Sequence, residues 1–183
     1  MTFIKIKNRY PSLIFFLCCF AGCFEQTAKI SEPKGYDSNQ ISFEYPQNWE
    51  ITEDTYTPIW HNIFLETPGD ALVICQSFRS DLAEDLDTFA KSFSENARTE
   101  TPIGKFSNSV FKTMRKETDH EWIYEQFDLS FFGEVVPHQR IYGTKKIADR
   151  QVFLIFQVAN EDFSKAEPGF KLIWNTLRES KAN

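Results

Sequence analysis

Few side chains in this sequence have the type and spacing that chemistry needs. Cys23 stands out, because it follows the small pair Ala21-Gly22 at the end of a short apolar run. Small residues let a peptidase approach the backbone at a signal cleavage site, so Gly22–Cys23 is the expected scissile bond. His120 lies in Asp119-His120-Glu121, a polar triplet at an expected turn. Neighbours on an extended chain point to opposite sides, so the triplet is a poor set of metal ligands. His61 follows Trp60 in an expected loop, and His138 follows Pro137 in an expected strand. Cys75 lies in an apolar strand with no base near it in sequence, which favours a buried, inert thiol. Lys145, Lys146 and Arg150 gather at an expected hairpin end. Solvated loop charge is the ordinary reading there, and an acidic partner or lipid headgroup is the alternative. The chain contains no HExxH, CxxC, G-x-S-x-G or Gly-rich phosphate loop. No catalytic residue, metal ligand or cofactor site is therefore expected.

The segment that positions Cys23 has the layout of a secretory signal. Lys5, Lys7 and Arg9 precede it, and no acidic residue occurs before Glu25. The apolar run from Leu13 to Ala21 is nine residues, against roughly 20 for a transmembrane helix. Residues 1–22 are read as a signal peptide. The run Phe20-Ala21-Gly22-Cys23 resembles the bacterial lipobox, with Phe20 where Leu is commonest. That resemblance implies a diacylglycerated Cys23 thiol, removal of the peptide before it, and acylation of the new N-terminus by palmitate-like chains. One acyl chain holds marginally and two or three hold stably, at about 0.8 kcal/mol per buried CH₂. The alternative is an ordinary secretory signal that happens to contain cysteine. Phe24 stands where enterobacterial inner-membrane lipoproteins often carry Asp. By resemblance this favours the periplasmic face of the outer membrane in such a host. Residues 23–40 are polar, include Ser31, Pro33, Gly35 and Ser38, and are expected to form a flexible tether. A random coil of that length reaches roughly 20–25 Å.

Beyond the signal, 17 basic and 26 acidic residues give a formal charge of −9. Nonspecific nucleic-acid binding needs a basic footprint, so that class is set aside. The 161 residues left after cleavage suit one domain that buries roughly two-thirds of its unfolded surface. Cys18 and Cys19 leave with the signal and Cys23 is acylated, so Cys75 has no partner for an intramolecular disulfide. Packing has to supply the stability.

The remaining pattern predicts strands, a helix, more strands and a last helix. Ile41, Phe43 and Tyr45 alternate until Pro46, and Trp49 then covers the sheet end. Asn62–Glu66 and Ala71–Phe78 flank Thr67-Pro68-Gly69-Asp70 as a hairpin. Leu86, Phe89, Ala90, Phe93 and Ala97 mark one face of a helix whose entry, Asp81 through Asp87, is acidic. Phe106–Arg115, Trp122–Phe132, Val135–Lys145 and Gln151–Val158 are further strands. Gly133-Glu134 is the expected two-residue loop of a type II′ hairpin. Phe170, Ile173, Trp174 and Leu177 define a closing helix, with Pro168 expected in its first turn.

This order resembles the PsbP/Mog-like (DcrB/PsbP-like) superfamily, which includes many bacterial lipoproteins. The matching residues are Ile41-Ser42-Phe43-Glu44-Tyr45-Pro46-Gln47-Asn48-Trp49, the helix around Phe89-Ala90, the strand 151–158, and the helix with Ile173 and Leu177. The resemblance implies an α+β fold over residues 41–179: a largely antiparallel sheet flanked by helices in an α/β/α sandwich. Residues 180–183 form a tail. It implies binding or assembly roles rather than catalysis, and carries over no functional residues. The expectation is a noncatalytic lipoprotein of the bacterial cell envelope, held to the membrane by its covalent lipid and engaging a protein partner of unknown identity. A small-ligand or lipid-binding module is the alternative, and an enzyme is the least favoured class.

Overall fold

Period-two burial builds the main sheet. In β4 (Trp60–Glu66) and β5 (Leu72–Arg79) every second residue is buried, and Ile63, Leu65, Val73 and Cys75 are sealed from solvent. The computed structural model describes residues 27–100, 104–115 and 121–180. Cys23, Gly22, His120 and the tail from 181 lie outside the described residues. The other strands are β1 (Lys34–Ser38), β2 (Ile41–Tyr45), β3 (Glu50–Tyr56), β6 (Lys105–Arg115), β7 (Glu121–Phe131), β8 (Glu134–Ile147), β9 (Arg150–Ala159) and β10 (Arg178–Glu179). Among the described residues there are also two α-helices, α1 (Leu86–Glu100) and α2 (Phe163–Thr176).

Seven strands make one antiparallel sheet in the order β3-β4-β5-β9-β8-β7-β6, and β1-β2-β10 make a second. Each face of the large sheet has its own core. Phe89 and Ala90 of α1 meet Ile123, Tyr142, Phe153 and Ile155 on one face. On the other, Phe170 and Ile173 of α2 join Trp49, Leu154, Phe156 and Val158, with Ile41 and Phe43 from the small sheet. Continuous burial of β9 follows from being covered on both sides. The expected α+β sandwich of helices on a largely antiparallel sheet is therefore the observed one.

Several local expectations shift. Residues 34–38, expected inside a tether, form β1 and pair along the whole of β2. The reason is Tyr36, which is buried and stacks on Phe43 with ring centroids 4.9 Å apart. The β7–β8 loop is Phe132-Gly133 rather than Gly133-Glu134, since Phe131 pairs with Glu134. Both loop residues have positive φ, 47° and 91°, so the turn is type I′. Pro168 is sixth in α2, a turn deeper than expected, because Phe163 and Ala166 also pack inward and start the helix early. Asp85 caps α1, its carboxylate accepting from the Thr88 amide at 3.0 Å and hydroxyl at 2.8 Å.

Candidate functional site

Among the described residues, three polar clusters and one groove are candidates for chemistry. The most buried cluster lies under α1. Glu125 of β7 accepts from Ser94 at 2.5 Å, Ser109 at 2.7 Å, Tyr142 at 2.6 Å and Arg140 at 3.1 Å. A carboxylate has about four lone-pair sites, so this one is saturated. Arg140 also donates from Nε to Gln157 at 2.5 Å. Its guanidinium lies 4.4 Å from the ring centre of Phe127, 5.1 Å from Phe106 and 5.7 Å from Phe93. Burial pushes the Tyr142 hydroxyl above its ordinary value; Arg140 opposes the shift and Glu125 adds to it. The phenol therefore stays protonated and donates. The cluster ties α1 and β6 to β9 through one carboxylate and one guanidinium, and has no open coordination for a substrate.

The second cluster joins β1, β3 and β4. His61 is in β4, opposite Ser77, rather than in a loop. Its Nε2 is 2.7 Å from Asp54 Oδ1, and Tyr36 donates to Asp54 Oδ2 at 2.9 Å. A carboxylate only accepts, so Nε2 carries the proton. Nδ1 is buried with no hydrogen-bond partner. Burial first, then the Asp54 contact, raises the Tyr36 hydroxyl. Cys75 shares this face of the sheet, and burial pushes its thiol up to about 12. That burial disfavours the reactive thiolate.

The third pair is His138 and Asp70. The Val136 carbonyl accepts from His138 Nδ1 at 2.9 Å, and Nε2 lies 3.7 Å from Asp70. Strand parity puts His138 on the α1 face, in phase with Arg140 and Tyr142, whereas His61 lies on the α2 face with Ile63. The two described histidines do not converge. Among the described residues no group of three His, Cys, Asp or Glu side chains is placed to hold a metal. The basic trio also disperses. Lys145 donates to the Trp174 carbonyl near the end of α2 and sits over its ring, while Arg150 turns inward to Ser77. Only Lys146 is exposed.

The groove lies where β6 bulges. Its register shifts between Ser107 and Val110, and Asn108 takes a φ of 55° and donates to Asp128 at 2.7 Å. Gln126, Asp128, Pro137, His138 and Asn160 line an open cleft of about 210 Å³ beside Val110, which is 64% exposed. Beyond it the β7–β8 hairpin carries the exposed Phe132 and Val135. These surfaces present amide, apolar and isolated charged groups. The Glu125–Arg140 pair escaped notice in the sequence, although Ile123-x-Glu125-x-Phe127 and Arg140-x-Tyr142 set both on an inward phase.

The architecture is that of the PsbP-like fold. A solution structure of cyanobacterial PsbP from Synechocystis shares it at a TM-score of 0.52 and 9% identity, over 81% of this chain and 92% of that one. A Pseudomonas aeruginosa protein of unknown function, PA94, described as a putative regulator, aligns at 0.37 and 13% over 76% and 92%. LpqN of Mycobacterium tuberculosis, involved in cell envelope biogenesis, aligns at 0.40 and 10% over 81% and 91%. No family model matches the chain. No curated protein matches it either. Among the described residues no helix is long and apolar enough to cross a membrane.

Proposed function

We propose that this protein is a lipid-anchored component of the bacterial cell envelope whose PsbP-like domain binds a protein partner and performs no turnover. Cys23 is the acylated residue, freed by cleavage after Gly22, and Phe24 favours the outer membrane in an enterobacterial type of host. The observation that supports the noncatalytic role best is the state of the buried ionisable groups. Glu125 has all its acceptor sites occupied, Cys75 is held as a thiol, and the described histidines lie on opposite faces. A site that transfers protons or groups needs a nucleophile and base that converge on open space.

The β6–β8 groove favours a macromolecular partner over a small ligand. At about 210 Å³ and open, it falls below the roughly 300–1,000 Å³ of pockets that enclose a small molecule. Anchoring raises the local concentration of the domain, so modest affinity at this surface is sufficient.

Affinity capture from membranes, using the lipidated protein and a Gln126→Arg variant, tests this reading. Gln126 is exposed in the groove, so the change leaves the core intact. Loss of a reproducible partner in the variant is the expected result. A folded, membrane-bound protein with His61→Gln, His120→Ala and His138→Gln that still captures its partner but loses its cellular activity would overturn the noncatalytic reading. Cys23→Ala is expected to abolish incorporation of labelled fatty acid.

A further inference from the structure

One end of the large sheet gathers several features. β4 and β9 both run toward it, so the 67–71 turn, the short helical turn Asn160–Asp162 and the start of α2 all lie there. The first described residues belong to the same end. The Ala28 amide donates to the Lys165 carbonyl in the first turn of α2, and the Lys29 amide to Asn48. The β7–β8 hairpin points the same way and reaches further. Ala159, the last residue of β9, pairs with His138. Residues 134–137 of β8 therefore continue past it for about 13 Å at a strand's rise per residue.

At the tip stands Phe132, 91% exposed, the highest value among the exposed large hydrophobic side chains described. Its φ of 47° is one that Asn or Gly adopts readily and a bulky side chain does not. Phe131 beside it packs over Gly104, so the hairpin has its internal contact without Phe132. A strained backbone that presents an apolar ring to solvent points to something outside the chain that the ring meets.

We propose that the Phe132 tip is a second membrane contact, which seats its ring at the headgroup–acyl boundary of a bilayer of low net charge. The proposal rests on the lipid anchor at Cys23. Chain length supports it: only Phe24, Glu25 and Gln26 separate Cys23 from Thr27. Four residue steps cover at most about 14 Å even when fully extended. The acyl chains thus hold this end of the sheet against the bilayer, across a gap that the projecting hairpin spans. Charge selects the lipid. Asp70, Asp128, Glu134, Glu161 and Asp162 lie at this end against Lys29, Lys105 and Lys165, so the balance is acidic. An anionic surface would repel them, whereas a zwitterionic one does not.

The test uses the mature, lipidated full chain in phosphatidylcholine–phosphatidylethanolamine vesicles that contain a spin-labelled quencher lipid. A fluorophore is placed on Phe132→Cys or, at the opposite end of the sheet, on Asp149→Cys. Cys75 is fully buried and stays unlabelled. Quenching several-fold stronger at 132 than at 149 is expected. Equal quenching at both sites, or none at 132, overturns the proposal. The acyl label on Cys23 is read on the same sample: its absence removes the anchor reading as well, while its presence without quenching at 132 removes the contact alone. Shielding of the tip in native membranes but not in lipid vesicles assigns it to a protein partner instead. Phe132→Asn should melt no lower than the parent, since Asn suits the turn. A fall of several degrees would make Phe132 a packing residue and also overturn the proposal.

Discussion

Gly169 and Trp49 meet at a distance that leaves no room for a side-chain carbon: a Cβ on Gly169 would lie 2.5 Å from Cη2 and Cζ2 of the indole. The same atom would be 2.8 Å from Cγ of Pro46. Trp49 is 1% exposed and also meets the Phe170 ring edge-on, so it is the block on which α2 rests. Gly169→Ala sets two effects against each other. Alanine favours a helix interior by about 1 kcal/mol over glycine, while overpacking a rigid core costs about 1–3 kcal/mol. Neither the indole nor the proline ring can swing away, so the second effect wins. A lower urea midpoint at unchanged slope is expected. A stability equal to or above the parent would show that α2 can lift without loss.

Glu125 and Arg140 predict a strongly nonadditive pair. Both side chains are 1% exposed and 3.1 Å apart. Glu125→Leu leaves a buried guanidinium without its counter-charge, at a cost of about 3–5 kcal/mol. Arg140→Met in that background removes the stranded charge, and the sulfur chain can occupy the space among Phe93, Phe106 and Phe127. The double variant should therefore be more stable than Glu125→Leu alone. Additive losses in a double-mutant cycle would mean that the two charges act independently.

Asp70 gives a pH dependence with a definite sign. Burial raises its carboxyl above the ordinary 3.8, with His138 opposing and Asp162 adding. Over the window directly above 3.8 the folded chain keeps a proton that the unfolded chain has released. Stability from this group is thus present at low pH and falls as pH rises through the raised value. The carboxyl is partly exposed, so the effect is a slope and not a collapse. Urea titrations of the parent and Asp70→Asn from about pH 3.5 to 6.5 should diverge in the variant's favour as pH rises. A constant difference would remove the effect.

How much of this was legible can be judged residue by residue. The phase of Leu86, Phe89, Ala90 and Phe93 marked the inward face of α1, and the continuous apolar run of β9 marked a central strand. β1 was hidden because Lys34-Gly35-Tyr36-Asp37-Ser38 turns only Tyr36 inward, and one residue makes no alternation. The β7–β8 loop lies one residue before Gly133-Glu134, and Phe132 does not signal it because a bulky side chain has no intrinsic preference for a left-handed backbone. The Glu125–Arg140 pair was readable in principle from strand parity, but only once the register between β7 and β8 was known. The dispersal of Lys145, Lys146 and Arg150 depends on the opposite faces of a strand, which a cluster in sequence conceals. The groove could not be read at all, since it exists because β6 slips its register.

The N-terminal boundary of the folded unit gives the last prediction. A chain that begins at Thr27 retains β1, the Ala28–Lys165 and Lys29–Asn48 hydrogen bonds, and the Tyr36–Asp54–His61 cluster. A chain that begins at Gln40 loses all of these and uncovers Phe43, which is 1% exposed beneath the Tyr36 ring. It also leaves Asp54 and the buried His61 without the tyrosine hydroxyl. Removing one large buried aromatic alone costs about 3–5 kcal/mol, a large share of the 5–15 kcal/mol that holds a typical domain. The shorter chain is therefore expected to unfold at a much lower urea concentration or to aggregate, while the longer one unfolds in a single cooperative step. Tyr36→Phe separates the two contributions, because it keeps the stacking and removes the hydroxyl, with a net loss of about 0.5–1.5 kcal/mol. Equal midpoints for the chains starting at 27 and 40 would show that β1 lies against the domain without stabilising it.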